Sequence, residues 1–281
     1  MKTQKQLAAV LMAVVIGVMA TGHFAIGQNN PTASRQIGPV EKVDQILGQE
    51  IKNGRGETIG KINNLAVDLE SGRVLYAIVD VEGGNRVAIP PGKFSFGAGQ
   101  TNLVVNVTRT NLTNAPRFQG SQLGNVGFAQ QVYNYFGQPL WWEGPSGDTN
   151  SSTKTFGNVH GASQLIGAQV KDVSNQDFGR VRNLVVSVPT GRVLYVAFSP
   201  SGDSAAGNTV YLLPPSAFTP GQDGKTLVTG VDKAKLQGGP HFNSDQWPDV
   251  ANPSYAQQVY QYYGKQPYFD TGGQLSPTSN R

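Results

Sequence analysis

The sequence predicts a mainly β protein: two tandem small antiparallel β-barrels, each followed by a short aromatic-rich α-helix. Three observations predict it. The chain repeats itself at a fixed offset, each copy places glycine turns between short runs rich in Val, Ile and Tyr, and each copy ends in a segment with helically spaced apolar residues.

The repeat comes first because it sets the domain count. Gly72-Arg73-Val74-Leu75-Tyr76 returns unchanged as Gly191-Arg192-Val193-Leu194-Tyr195, and Leu47-Gly48-Gln49-Glu50-Ile51-Lys52 returns as Ile166-Gly167-Ala168-Gln169-Val170-Lys171, both at an offset of 119. From Gly48 to Tyr76, 11 of 29 positions are identical between the copies. Chance does not hold register that long. Past Tyr76 the second copy gains five residues in the Gly/Ser/Ala segment Ser201 to Asn208, a hairpin tip where insertion costs little. The match then resumes: Ile89-Pro90-Pro91 with Phe94 corresponds to Leu213-Pro214-Pro215 with Phe218, and Leu103-Val104-Val105 to Leu227-Val228-Thr229. The units close on Pro116-Arg117-Phe118 and Pro240-His241-Phe242.

Within the first copy, strands are predicted over Ile59 to Leu69, Val74 to Val81, Arg86 to Ile89 and Leu103 to Val107. Ser71-Gly72 and Thr190-Gly191 fall between runs as hairpin turns, and Gly54 to Gly60 reads as another hairpin. Several short strands in so few residues cannot make a wide sandwich. Curling into a small closed barrel buries one face and removes exposed edges. Phe128, Val132, Tyr135 and Phe136 then share one helical face, and Phe128 to Gly137 matches Tyr255 to Gly264. Asn252 is a suitable N-cap, Pro253 a suitable first helical residue, and Gly137 and Gly264 suitable left-handed C-caps.

At the N-terminus, Lys2 and Lys5 precede an uncharged apolar run of 14 residues, Leu7 to Ala20, and then the small and polar residues around Ala25-Ile26-Gly27. That order is a secretory signal peptide, and the run is shorter than the roughly 18 residues a membrane-spanning helix needs. Cleavage makes the protein exported, periplasmic or extracellular; an uncleaved anchor is the alternative. The expected layout is signal peptide 1–27, linker 28–44, first barrel 45–118, helical extension 119–143, linker 144–163, second barrel 164–242, helical extension 243–270 and a disordered tail 271–281. The chain has no cysteine, which excludes disulfides, lipid attachment and cysteine-based chemistry. Its formal charge of +4 falls to +2 once Lys2 and Lys5 leave, too near neutral for a nucleic-acid partner.

Leu47-Gly48 with Ile51, Gly60-Lys61-Ile62 with Leu65, Val67 and Asp68, Gly72-Arg73-Val74, and Ile89-Pro90 together resemble the PRC-barrel domain, and Leu165 to Val231 resembles it again. The resemblance implies a six-stranded antiparallel barrel used as a docking surface, with no shared active site. The second copy departs from the pattern where Val188-Pro189 replaces Leu69-Glu70.

Little catalytic chemistry remains. His160 and His241 are the mature chain's histidines, and no cofactor or metal motif is present. Asp68 with Glu70 is the one close acid pair inside a barrel, and it becomes Ser187 and Pro189 in the second copy. Glu50, Glu57 and Asp80 likewise become Gln169, Gln176 and Ser199. Basic positions persist instead: Lys52/Lys171, Lys61/Arg180 and Arg73/Arg192. Trp141-Trp142 and Tyr268-Phe269 trail the two helices, with Trp142 and Phe269 expected to be the exposed members. The candidate binding surface is therefore Trp141, Trp142, Tyr268, Phe269, Lys61, Arg73, Arg180 and Arg192. The expected function is a non-enzymatic binding or scaffold protein that docks a protein or cell-envelope partner, with peripheral contact to a membrane surface. A glycan or anionic-polymer module using those aromatics and basic positions is the alternative.

Overall fold

Short β-branched runs separated by glycine turns form strands in both copies. In the computed structural model, described for residues 37, 39–97, 102–142, 156–202 and 208–267, the first copy opens with β1 (Glu41–Lys42) and one helical turn, α1 (Val43–Ile46). Then come β2 (Glu50–Asn53), β3 (Thr58–Asp68), β4 (Arg73–Val81), β5 (Asn85–Ile89), β6 (Phe94–Phe96), β7 (Leu103–Val105), α2 (Arg109–Asn114) and α3 (Val126–Tyr135). The second copy repeats this order: β8 (Val159–Gly161), α4 (Ala162–Leu165), β9 (Gln169–Asp172), β10 (Asp177–Ser187), β11 (Arg192–Pro200) and β12 (Thr209–Leu213). It continues with β13 (Phe218–Pro220), β14 (Leu227–Thr229), α5 (Lys233–Gln237), β15 (His241–Asn243) and α6 (Pro253–Tyr262). The signal run and the tail lie outside the described residues.

Each copy is a curled sheet of six strands, β6-β7-β2-β3-β4-β5 and β13-β14-β9-β10-β11-β12. The pairs are antiparallel except β2 with β7 and β9 with β14, which run parallel. Among the described residues no ladder joins the first and last strands of either cylinder. Pro90 and Pro91 turn the chain from β5 to β6 through a 3-10 turn (Pro91–Lys93); proline has no N–H to donate, so the ladder cannot run through it. The inner faces bury Ile51, Ile62, Leu65, Leu75, Val79, Ile89 and Phe94 in one copy and Val170, Val181, Leu184, Leu194, Phe198, Leu213 and Phe218 in the other, each burial worth about 1.5–3 kcal/mol. The glycine that opens β3 and β10 is required by close approach. A Cβ on Gly60 would lie 2.6 Å from the Asp80 carbonyl oxygen, and one on Gly179 would lie 2.2 Å from that of Ser199.

The two sheets are joined, and each copy lends its first strand to the other. β1 pairs antiparallel with β10 (Glu41↔Val186, Lys42↔Val185), while β8 pairs with β3 (Ala66↔Gly161, Val67↔His160, Asp68↔Val159). Between them β4 meets β11 at Arg73↔Arg192, where Val74 N donates to Gly191 O at 3.1 Å and Val193 N to Gly72 O at 2.9 Å. These contacts map onto each other when the copies are exchanged, which is the self-complementary pattern of a two-fold interface, here within one chain. The same exchange relates the caps: Ser163 N donates to Asn64 Oδ1 at 3.1 Å, and Asp44 N to Asn183 Oδ1 at 3.4 Å. The segments expected as linkers, 28–44 and 144–163, therefore contain β1 and β8 and the starts of α1 and α4. The described residues all fall in one unit.

Candidate functional site

Each copy docks its terminal helix against its own barrel with buried tyrosines. Asn125 caps α3 by accepting from Phe128 N at 2.8 Å, and Asn252 caps α6 by accepting from Ser254 N at 2.9 Å. Gly137 and Gly264 end these helices at φ of 61° and 67°. The buried face of α3 is Phe128, Ala129, Val132 and Tyr133; Tyr135 is 38% exposed. Tyr133 OH donates to Leu75 O at 2.7 Å and Tyr260 OH to Leu194 O at 2.8 Å, so one bond pins each helix to its central strand. Burial pushes the Tyr133 phenol well above its ordinary pKa, which keeps it protonated as a donor.

The expected binding residues separate into groups. Trp142 is 2% exposed, the reverse of the exposure expected for it. Its ring is wedged edge-on between Tyr133 at 4.8 Å, Trp141 at 5.4 Å and Phe156 at 5.3 Å. Trp141 is half-buried, with Nε1 donating to Tyr133 OH at 3.3 Å and the Arg73 guanidinium 5.1 Å above its ring. Arg192, opposite Arg73 in register, is buried at 9% exposure. Lys61 and Arg180 sit toward the other end of β3 and β10: Lys61 is 4.0 Å from Glu50, and Arg180 Nη1 donates to Gly167 O at 3.3 Å. Tyr268 and Phe269 lie outside the described residues. The structure thus unites Arg73, Trp141 and Trp142 in a packed cluster and keeps Lys61 and Arg180 apart from it.

The histidines sit in structural surroundings. His241 lies 5.3 Å from the Tyr211 ring, with Nδ1 2.9 Å from Gly239 O. His160 is on the exchanged strand β8, and burial lowers its pKa against the pull of Asp68. Asp68 itself accepts from Ser71 Oγ at 2.8 Å and from Gly157 N at 3.1 Å. It therefore tethers the second copy's entry and closes its own turn. Among the described residues no group of three or more His, Asp or Glu comes together to hold a metal ion.

A concavity that the sequence reading did not anticipate opens at the rim of the first barrel. Thr108 caps α2 by accepting from Asn111 N at 3.1 Å, which sets Arg109 beside the β4–β5 turn. There Arg109 pairs with Glu82, and Arg117 hydrogen-bonds Asn85 Oδ1. Beneath them lies a half-open cavity of about 240 Å³ whose lining includes the buried Ile59, Val87 and Leu112. In the second copy the corresponding residues are Phe178, Tyr211 and Leu236, with His241 in place of Arg117. Phe178 stacks on Phe198 at 5.5 Å, and Tyr211 packs on His241. Comparison of the two copies was the signal available in the sequence, since those substitutions replace aliphatic residues by aromatic ones.

Paired curled barrels, joined across a pseudo-two-fold, define a tandem small-barrel protein. The PRC-barrel domain family model matches residues 39–111 and 157–230, just over half of the chain. The chain belongs to the PRC-barrel domain family, with one domain in each copy. The two matched segments begin near β1 and β8, so each includes the strand lent to the other copy. No curated protein matches the chain.

Proposed function

We propose that the protein is an exported, non-enzymatic binding or scaffold protein whose paired PRC-barrel units dock a protein or cell-envelope partner. The observation that carries this reading is the reciprocal exchange of β1 and β8. Two barrels tied in this way offer one surface drawn from both copies, which suits docking better than a cleft that opens and closes around a substrate. Export is supported by Lys2 and Lys5 ahead of the uncharged run Leu7 to Ala20. The non-enzymatic role is supported by the absence of cysteine and by the loss of the one close acid pair, Asp68 with Glu70, in the second copy. The near-neutral mature chain favours a protein or envelope partner over nucleic acid. A glycan platform has less support, because Trp142 is buried and Arg73 covers one face of Trp141.

Fractionation of cells producing the C-terminally tagged full-length chain tests export. The expected product sits outside the cytoplasm and is shortened by about the signal segment. Full-length protein in the cytosol overturns the reading. Docking is tested by titrating the 28–281 protein onto envelope material: saturable retention supports it, and retention no greater than that of an unrelated protein of equal charge refutes it.

A further inference from the structure

The two joints between the copies share a backbone pattern and differ in chemistry. β1 on β10 and β8 on β3 are exchanged by the pseudo-two-fold, and at the repeat offset of 119 Glu41 of β1 corresponds to His160 of β8. By the same correspondence Ser187 ends β10 where Asp68 ends β3. Among the described residues six side-chain polar atoms are buried without a hydrogen-bond partner, and three of them, Glu41 Oε2, His160 Nε2 and Ser187 Oγ, belong to these joints. A folded protein keeps few such atoms, and half of them here lie at its two seams.

A neutral imidazole with a bare Nε2 is the form of His160 that this place accepts most readily. A proton on Nε2 would add a buried N–H without an acceptor and a charge shielded from water. The charged groups around it do not repair this. Asp68 on β3 attracts the proton, but its oxygens already accept from Glu70 N at 3.1 Å, Ser71 Oγ at 2.8 Å and Gly157 N at 3.1 Å. Arg73 stands opposite Asp68 on β4, and Glu70 lies against Gly157. Neither α4 nor the loop 120–124, whose Gly124 packs on Val159, carries a charged residue. Burial outweighs Asp68 and lowers the His160 pKa. At the other joint Glu41 lies opposite Val186; Arg192 stands opposite Ser187, Arg182 is further along β10, and α1 carries Asp44. Burial raises the Glu41 pKa, so a proton there relieves a buried carboxylate.

We infer that acid opens one joint only: β8 leaves the Ala66 to Asp68 edge of β3 while β1 stays on β10, so the barrels pass from doubly to singly tied and a strand edge is exposed. This concerns the joint itself and does not rest on the docking role. Held neutral in the joint and titrating near its ordinary 6.5 once released, His160 weights the released state by up to about tenfold at pH 5.5 relative to pH 7.5. Glu41 acts in the opposite sense, because its proton is held more tightly in the joint than out of it.

Amide hydrogen exchange of the 28–281 protein, read by NMR at pH 7.5 and 5.5 and corrected for the intrinsic pH dependence of exchange, follows both joints at once. The β8–β3 amides are expected to lose protection severalfold, up to about tenfold, at pH 5.5, and the β1–β10 amides to keep or gain it. His160→Gln, uncharged at either pH, is expected to remove the acid response. Glu41→His places a titrating ring in the other joint and is expected to make β1–β10 acid-labile as well. An equal change at both joints of the unaltered protein, or an acid response that survives in His160→Gln, overturns the inference. So does a folded Glu41→His whose β1–β10 amides ignore pH. If His160→Gln does not fold, the imidazole titration of His160 in the unaltered protein decides: a midpoint below 6.5 supports the inference, and one at or above 6.5 overturns it.

Discussion

Trp142→Ala tests whether the aromatic pair after α3 is packing or platform. Trp142 is 2% exposed and its ring meets Tyr133, Trp141 and Phe156 within 5.4 Å. Truncating a tryptophan buried this deeply costs about 3–5 kcal/mol, since transfer energy is lost and a cavity remains. For a chain of this size 1 kcal/mol moves Tm by about 2–4 °C, so the expected fall is about 6–20 °C. Trp142→Phe provides a sharper comparison. Trp142 Nε1 is buried with no hydrogen-bond partner among the described residues, and leaving a buried donor unsatisfied costs about 1–3 kcal/mol. Phenylalanine removes that donor while keeping most of the ring, so its net cost is expected to stay within about 1.5 kcal/mol. Thermal unfolding followed by circular dichroism on the 28–281 protein, with urea titration to check a single transition, gives both numbers. A Tm change below about 2 °C for Trp142→Ala is what a surface residue gives, and it would refute the packing assignment.

Four further outcomes are expected. Asn64→Ala removes the acceptor for Ser163 N and Leu65 N and the donor to Ser163 Oγ, and should cost about 1–2 kcal/mol in urea unfolding; Asn183→Ala, whose cross-copy bond is 3.4 Å long, should cost less. Burial depresses the His160 pKa below its ordinary 6.5, so the folded state takes up that proton less readily than the unfolded chain. Its contribution is complete above about pH 6.5 and is lost as pH falls through the folded value, so Tm should drop between pH 7.5 and 5.5 and drop less in His160→Gln. Glu41, raised by burial, acts in the opposite sense: its contribution is lost as pH rises, and Glu41→Gln should raise Tm at pH 7. The first copy expressed alone, residues 37–142, leaves β1 and the Ala66 to Asp68 edge of β3 without their partners and should self-associate through them; a folded monomer in analytical ultracentrifugation would contradict the exchange.

Much of the architecture was legible in the residues because it is local. The turns at Gly72 and Gly191 adopt φ of 62° and 64°, as a glycine between two strand runs predicts. The caps at Asn252, Gly137 and Gly264 follow the same kind of short-range rule. What sequence could not give is non-local. β1 and β8 have two and three residues, too few for any alternation to register, and their partners lie in the other copy. Trp142 looked exposed because it follows a helix end, yet Phe156, which covers it, enters only after the segment 143–155. The i, i+4, i+7, i+8 spacing of Phe128, Val132, Tyr135 and Phe136 leaves Tyr133 off that face; the hydrogen bond to Leu75 O nonetheless seats Tyr133.

The central contact between the copies keeps residues that the rims do not. Gly72, Arg73 and Val74 with their counterparts carry the β4–β11 contact, and Asn64 with Asn183 carries the caps across the pseudo-two-fold. These identities are needed twice, because an interface built from two copies of one surface uses each residue on both sides. The rim positions are under no such constraint. A residue at the end of one barrel contacts nothing that its counterpart must also contact, so Ile59 and Phe178, Val87 and Tyr211, and Arg117 and His241 could diverge without loosening the pair.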